Sequence, residues 1–142
     1  MHESDELREA YELLQREGYS LVLKKDDDLI TGHERGVKML LMLLQIGNDY
    51  SGYVAADKVI GKGAAFLYVL LRIKEIHAGV ISEPALAVLK EHDVVTIYEE
   101  LVPMIRNRDN TGFCPMEQTV LEETDPQTAF RKLLEKTRSF HN

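Results

Sequence analysis

Cysteine is nearly missing from this chain: Cys114 stands alone among 142 residues, so no intrachain disulfide can form and the usage fits a reducing compartment. Positive charge is in deficit as well. Seventeen Lys and Arg against 24 Asp and Glu leave a net charge of −7, which argues against the clustered cationic surface that a duplex nucleic-acid binder needs to neutralise phosphates. Long apolar runs are absent, since Met39–Leu44 and Ala64–Leu71 fall far short of a bilayer span. The opening residues, Met-His-Glu-Ser-Asp-Glu, lack the basic region and apolar run of a secretory leader. The expectation is a cytoplasmic protein with no membrane association. Its length fits one domain over residues 1–142, with a core of two or three layers and no room for a second.

Metal-ligand spacing is also lacking. The histidines, His2, His33, His77, His92 and His141, are dispersed, and with one cysteine they compose no tetrahedral zinc set. No metal and no cofactor is expected, and "KKDDD" reads as a solvated turn rather than a carboxylate metal site.

What is present is alternation. Leu7, Ala10, Tyr11 and Leu14 recur at helical spacing between Ser4, a capping residue, and Gly18. "YSLVLKKDDDLIT" gives two short strands around a turn that aspartates support by bonding their own backbone. "RGVKMLLMLLQIG" is apolar on nearly every side, the pattern of a helix buried broadly against a sheet. "YSGYVAA", "IHAGVI" and "VVTIY" are three further strands. A helix from about Gly61 to Lys74 and another through "EPALAVLKEH", capped by Ser82, separate them. A last helix starts near "TDPQTAF", with Asp125 as cap and Pro126 in first position. The order α-β-β-α-β-α-β-α-β, with short strands alternating with helices, predicts an α/β fold. Its five-stranded mixed sheet is largely parallel, with helices on both faces and an antiparallel opening hairpin. Between the last strand and the last helix, "LVPMIRNRDNTGFCPMEQTV" breaks the alternation; it is read as an ordered loop over one sheet edge.

Ligands of open α/β sheets bind beyond the carboxyl ends of the strands. "VAADKVIGKGAAF" places Asp57, Lys58 and Lys62 there, with glycines on both sides of Lys62 and the unsatisfied N–H groups of a helix start beside them. That combination suits an anion. The competing reading is a turn capped by Asp57 with both lysines solvated. The stretch is not a Walker A loop, which needs Gly at Ala56 and Ser or Thr at Gly63, and the dinucleotide GxGxxG pattern is absent. Cys114, in "GFCPME", would serve as a nucleophile if Arg106, Arg108 or a lysine lowered its pKa. Otherwise it is a small buried hydrophobe. Asn107, Arg108, Asp109 and Asn110 either orient a polar ligand or bond the loop to itself.

Three stretches in order, "DKVIGKGAA", "ISEPAL" and "LVPMIRNRDNTGFCPME", carry a family resemblance. The chain resembles the prokaryotic domain of unknown function 1893 over about residues 19–120. The resemblance implies a cytidine deaminase-like fold, a three-layer α/β/α sandwich, as in the Thermotoga-type members. It makes the helix from Ser4 the leading helix and residues 124–140 an appended C-terminal helix. It also implies that Asp57, Lys58, Gly61, Lys62, Asn107, Arg108, Cys114 and Glu117 are signature residues of one site. Gly63 stands where the pattern has Ala, and "DDD" where it has Asp-Gly.

Fold does not carry reaction with it. A zinc deaminase needs a His or Cys with a Glu at one helix start and Pro-Cys-x-x-Cys at the next. His33-Glu34 echoes the first, while "DKVIGKGAA" at the second contains no cysteine. Zinc-dependent deamination is therefore not expected. The lysines stand where the metal would, and the leading expectation is a non-zinc protein that binds a small anionic or nucleotide-like ligand. Lys62→Ala is expected to abolish binding with little change in melting temperature. The alternatives are an enzyme of unassigned reaction using Cys114 with a lysine or Glu117, and an interaction or regulatory module, with a homo-oligomer among its forms.

Overall fold

Ser4 and Gly18 bound the first helix as their chemistry requires. In α1 (Asp5–Glu17) the Ser4 hydroxyl accepts from the Leu7 N–H at 3.1 Å, and Gly18 closes the helix at φ +69°. The computed structural model describes residues 3–34, 37–106, 112 and 114–139. After α1, β1 (Leu21–Lys25) and β2 (Asp28–Gly32) pair antiparallel across the aspartate turn, where Asp26 takes φ +53°. Then follow α2 (Lys38–Ile46), β3 (Val54–Ile60), α3 (Lys62–Leu71), β4 (Glu75–Ser82), α4 (Glu83–Glu91), β5 (Val95–Val102), α5 (Pro115–Thr119) and α6 (Pro126–Ser139).

The sheet order is β2-β1-β3-β4-β5, with β1 antiparallel to both neighbours and β3, β4 and β5 parallel. This is the mixed five-stranded α/β sheet that the alternation predicts. Its two faces are covered unequally. Among the described residues, one face, with Val22, Val54 and Ala56, meets α1 through Leu7, Ala10 and Leu14. The other joins Leu23, Ala55, Ile76 and Ile81 to buried residues of α2, α3, α4 and α6. Every fully buried leucine or isoleucine in these layers contributes about 2 kcal/mol by leaving water. Because both β3-α3-β4 and β4-α4-β5 step the same way along the sheet, right-handed crossovers place α3 and α4 on one side. In α6, Asp125 caps the start by accepting from the Thr128 N–H at 3.0 Å, and Leu133 is fully buried against the α3 side.

The third and fifth strands run differently from the reading of the sequence. The third strand starts at Val54 rather than Tyr50, because Gly52 turns the chain at φ +86°, and it runs through Asp57 and Lys58 instead of ending at them. The β3–β4 ladder skips Lys58 and Gly79 while Asp57 pairs with Ala78 and Val59 with Val80. A Cβ on Gly79 would lie 2.7 Å from the Lys58 carbonyl oxygen, so only glycine fits that break. The fifth strand continues past Tyr98 through Glu99 and Glu100 to Val102, since an outer strand keeps such side chains in water. Part of the expected loop is helical: Pro115 opens the five-residue α5.

Candidate functional site

The carboxyl ends of β3 and β4 meet the starts of α3 and α4, and a side chain from α5 enters between them. Glu117 is 1% exposed. Its Oε2 accepts from the Lys62 backbone N–H at 2.6 Å and from the Ser82 hydroxyl, and its Oε1 accepts from the Ile105 N–H at 2.7 Å. Ser82 at the same time caps α4 by accepting from the Ala85 N–H at 3.2 Å. Gly61 precedes α3 without offering a capping side chain, so the Glu117 carboxylate does the capping. A Cβ at Gly61 would come within 3.3 Å of Oε2 and 3.4 Å of Ile105 Cγ1, which explains glycine there. A carboxylate suits this place because backbone N–H groups at a helix start carry partial positive charge.

The segment after β5 is fastened on either side of Glu117. The Cys114 N–H donates to the Ile105 carbonyl at 2.8 Å. The Lys62 ammonium donates to the Leu121 carbonyl at 2.5 Å and lies 5.6 Å from the Phe66 ring centroid. Lys62 thus holds the segment by its ammonium and Glu117 by its backbone N–H. That gives Lys62 a structural contact which the solvated-lysine reading omits. Cys114 is half-buried just before α5.

A second carboxyl lies under α3. Asp57 Oδ2 accepts from the Tyr68 hydroxyl at 2.6 Å, and Oδ1 accepts from the Val59 N–H at 3.2 Å. Burial pushes the Asp57 carboxyl up to about 7, against the opposing hydrogen bonds from Tyr68 and from the Val59 and Lys58 backbone. Tyr68 is fully buried, and burial first, then the Asp57 charge, raise its phenol well above the usual range. A partly buried carboxyl pushed up to about 7, with one hydroxyl partner, suits a proton donor and acceptor.

Of the residues expected from sequence, the structure brings Gly61, Lys62, Glu117 and the segment bearing Cys114 together. Asp57 faces Tyr68 within β3, and Lys58 projects into solvent at the ladder break. Asn107 and Arg108, with Asp109 and Asn110, lie outside the described residues. Ser82, Ile105, Tyr68 and Leu121 were missed as partners. Ser82 alone left a signal, its capping position in "ISEPAL".

Histidine takes two other places. His33 is exposed and tilted against Tyr19, with ring centroids 4.9 Å apart. His77 is buried on the α1 face, stacked on Tyr11 at 3.6 Å, with Glu3 at Nδ1 and Glu99 Oε2 at 2.7 Å from Nε2. It ties the approach to α1 to β5 and lies away from the strand ends. Among the described residues no group of three or more His, Cys, Asp or Glu is placed to hold a metal ion. No helix of the described residues is long and apolar enough to cross a membrane.

Comparison with known proteins agrees with the strand order. The family model for the domain of unknown function DUF1893 matches residues 9–137. The crystal structure of a DUF1893 family protein from Thermotoga maritima superposes with a TM-score of 0.87 at 30% identity, over 95% of this chain and 92% of that one. A diaminohydroxyphosphoribosylaminopyrimidine deaminase/5-amino-6-(5-phosphoribosylamino)uracil reductase from Thermotoga maritima gives a TM-score of 0.42 at 15% identity, over 82% of this chain and 40% of that one. At that score the likeness carries no argument. No curated protein matches the chain.

Proposed function

The chain belongs to the DUF1893 family, whose description assigns no activity, and we propose from its own geometry that it binds a small anionic or nucleotide-like ligand at the carboxyl ends of β3 and β4. The observation that carries this reading is the set of donors converging on Glu117: the Lys62 N–H, the Ser82 hydroxyl and the Ile105 N–H. Donors from three elements aimed at one buried carboxylate form a cradle for an anion. In the unliganded protein Glu117 fills it. A phosphate or carboxylate of the ligand takes its place as α5 lifts, and the Lys62 ammonium leaves the Leu121 carbonyl to neutralise the incoming charge. Lys58, exposed on β3, is the further cation of this reading, and Asn107 and Arg108 belong to it from the sequence alone. Asp57 stands below as a proton-exchanging group. The deaminase-like arrangement and a cytoplasmic location remain part of this proposal.

Thermal shift of the metal-free protein against phosphate, acetate, nucleosides, nucleotides and sugar phosphates tests it. A saturable rise with a phosphate- or carboxylate-bearing compound, weakened in Lys58→Ala, is expected. Glu117→Ala, which empties the cradle, should respond to acetate or phosphate at lower concentration than the wild type. If neither protein responds to any anion, the proposal fails. The wild-type response alone decides the matter if Glu117→Ala does not fold.

A further inference from the structure

The sequence of α2, KMLLMLLQI, is written for burial on most sides, yet the fold leaves part of it in water. Leu40, Leu41 and Leu43 are buried, while Met42 is 51% and Ile46 58% exposed. Beside this uncovered face lies a groove of about 580 Å³ between the outer edge of β2, α2 and the C-terminal half of α6. Its apolar lining is Met39, Leu41 and Met42 from α2 and Leu134 from α6. Gly32 forms the β2 edge, and a Cβ there would run into the Met39 thioether, so glycine is what lets Met39 lie flat along the wall. Such a volume falls in the range of about 300–1,000 Å³ typical of small-molecule sites, and methionine adapts its shape to what it covers.

The rim has a chemistry of its own. Lys38 opens α2 and Arg138 stands near the end of α6, so two cations from separate elements border one groove in a protein of net charge −7. Both are exposed, and neither forms an ion pair among the described residues. Glu34 is the one acidic residue of the lining, and His33 is beside it. The first turn of α2 contains no acidic residue and its N-cap, Val37, makes no side-chain cap bond. The end of the groove that holds Lys38 therefore favours negative charge.

We infer that this groove binds a small amphipathic monoanion: an apolar chain or ring lying on Met39, Met42 and Leu134, with one carboxylate between Lys38 and Arg138. Concavity and charge favour this occupant over a second copy of the chain, since a stable protein interface needs roughly 800 Å² from each partner and a second copy would bring another net charge of −7. The site is separate from the strand-end cradle and does not depend on it.

Calorimetric titration with hexanoate, octanoate and decanoate below micelle-forming concentrations, alongside decanol and methyl decanoate, tests the inference. Saturable binding at one site is expected, tightening with chain length and weaker for the alcohol and ester. Lys38→Gln and Arg138→Gln should each weaken decanoate by about three- to fivefold. Met42→Glu, an exposed position where folding is not at risk, should remove binding by adding a like charge. The cradle takes a carboxylate alone and makes no use of an apolar chain, so the tightening from hexanoate to decanoate separates this groove from it. Absence of saturable binding overturns the inference. So does equal affinity for acid and ester, and so does a wild-type dimer that Met42→Glu dissociates, since a second copy would then be the occupant.

Discussion

Glu117 and Asp57 are two acidic side chains on the α3 side of the same sheet, and the fold treats them oppositely. Glu117 receives a hydroxyl and two backbone N–H groups from three separate elements, so its charge is matched by directed donors. Asp57 keeps a tyrosine hydroxyl and its own strand's backbone, and burial outweighs them enough to move its carboxyl to about 7. A buried carboxylate with converging donors fastens structure, whereas one with too few donors stores a titration. The first holds the segment after β5 in place; the second makes stability depend on pH.

The strongest way to break that contrast is to remove the well-served carboxyl. Glu117→Ala leaves the Lys62 and Ile105 N–H groups and the Ser82 hydroxyl without their acceptor, and should cost about 3–5 kcal/mol in urea unfolding. Glu117→Gln keeps the volume but turns an amide donor toward donors, and should cost less, about 2 kcal/mol. A loss below 1 kcal/mol in both would show that the cluster does not fasten the segment.

Asp57→Asn removes the poorly served charge. Because the folded pKa is raised above the ordinary 3.8, the group's stabilising contribution is complete below about pH 4 and is lost as pH rises to about 7. Wild type should therefore lose stability relative to Asp57→Asn across that window, by roughly 2–4 kcal/mol at pH 8. A difference between the two proteins that stays flat from pH 4 to pH 8 would contradict the raised carboxyl. Tyr68→Phe sharpens the same comparison: with its hydroxyl donor gone, the fall in stability should begin at the same pH, continue to higher pH and be deeper.

Lys62→Met keeps the α3 backbone donor and removes the Leu121 tie and the ammonium over the Phe66 ring, at a cost of about 1 kcal/mol. That is small beside Glu117→Ala, yet it replaces the expectation of an unchanged melting temperature. The smallest effect is kinetic. Cys114 sits one turn before Glu117, so its labelling by a thiol reagent should quicken when a bound anion lifts α5 and stay constant if α5 does not move.

Local chemistry made much of the fold legible. Ser4, Gly18, Ser82, Asp125 and Pro126 mark helix ends in the sequence and mark them in the structure. β3 was misplaced because Asp57-Lys58 reads as a strand end by charge. The aspartate is in fact satisfied by Tyr68, and the lysine lies where Gly79 lets the ladder skip. The site was legible only as a set of residue types. That Glu117 meets Lys62, 55 residues away, and Ser82, 35 away, depends on how the sheet brings distant segments together. No local period encodes that. The uneven cover of α2 was hidden for the same reason: apolar residues on all sides announce burial without saying which neighbour is missing.

The Glu117 cluster also bears on how the protein opens. One side chain fastens the first amide of α3, the capping residue of α4 and the Ile105 amide, so these groups cannot fray one at a time without stranding a buried charge. Their amide protons should exchange with solvent deuterium as one cooperative unit, making the segment after β5 and the starts of two helices a single foldon despite the sequence between them.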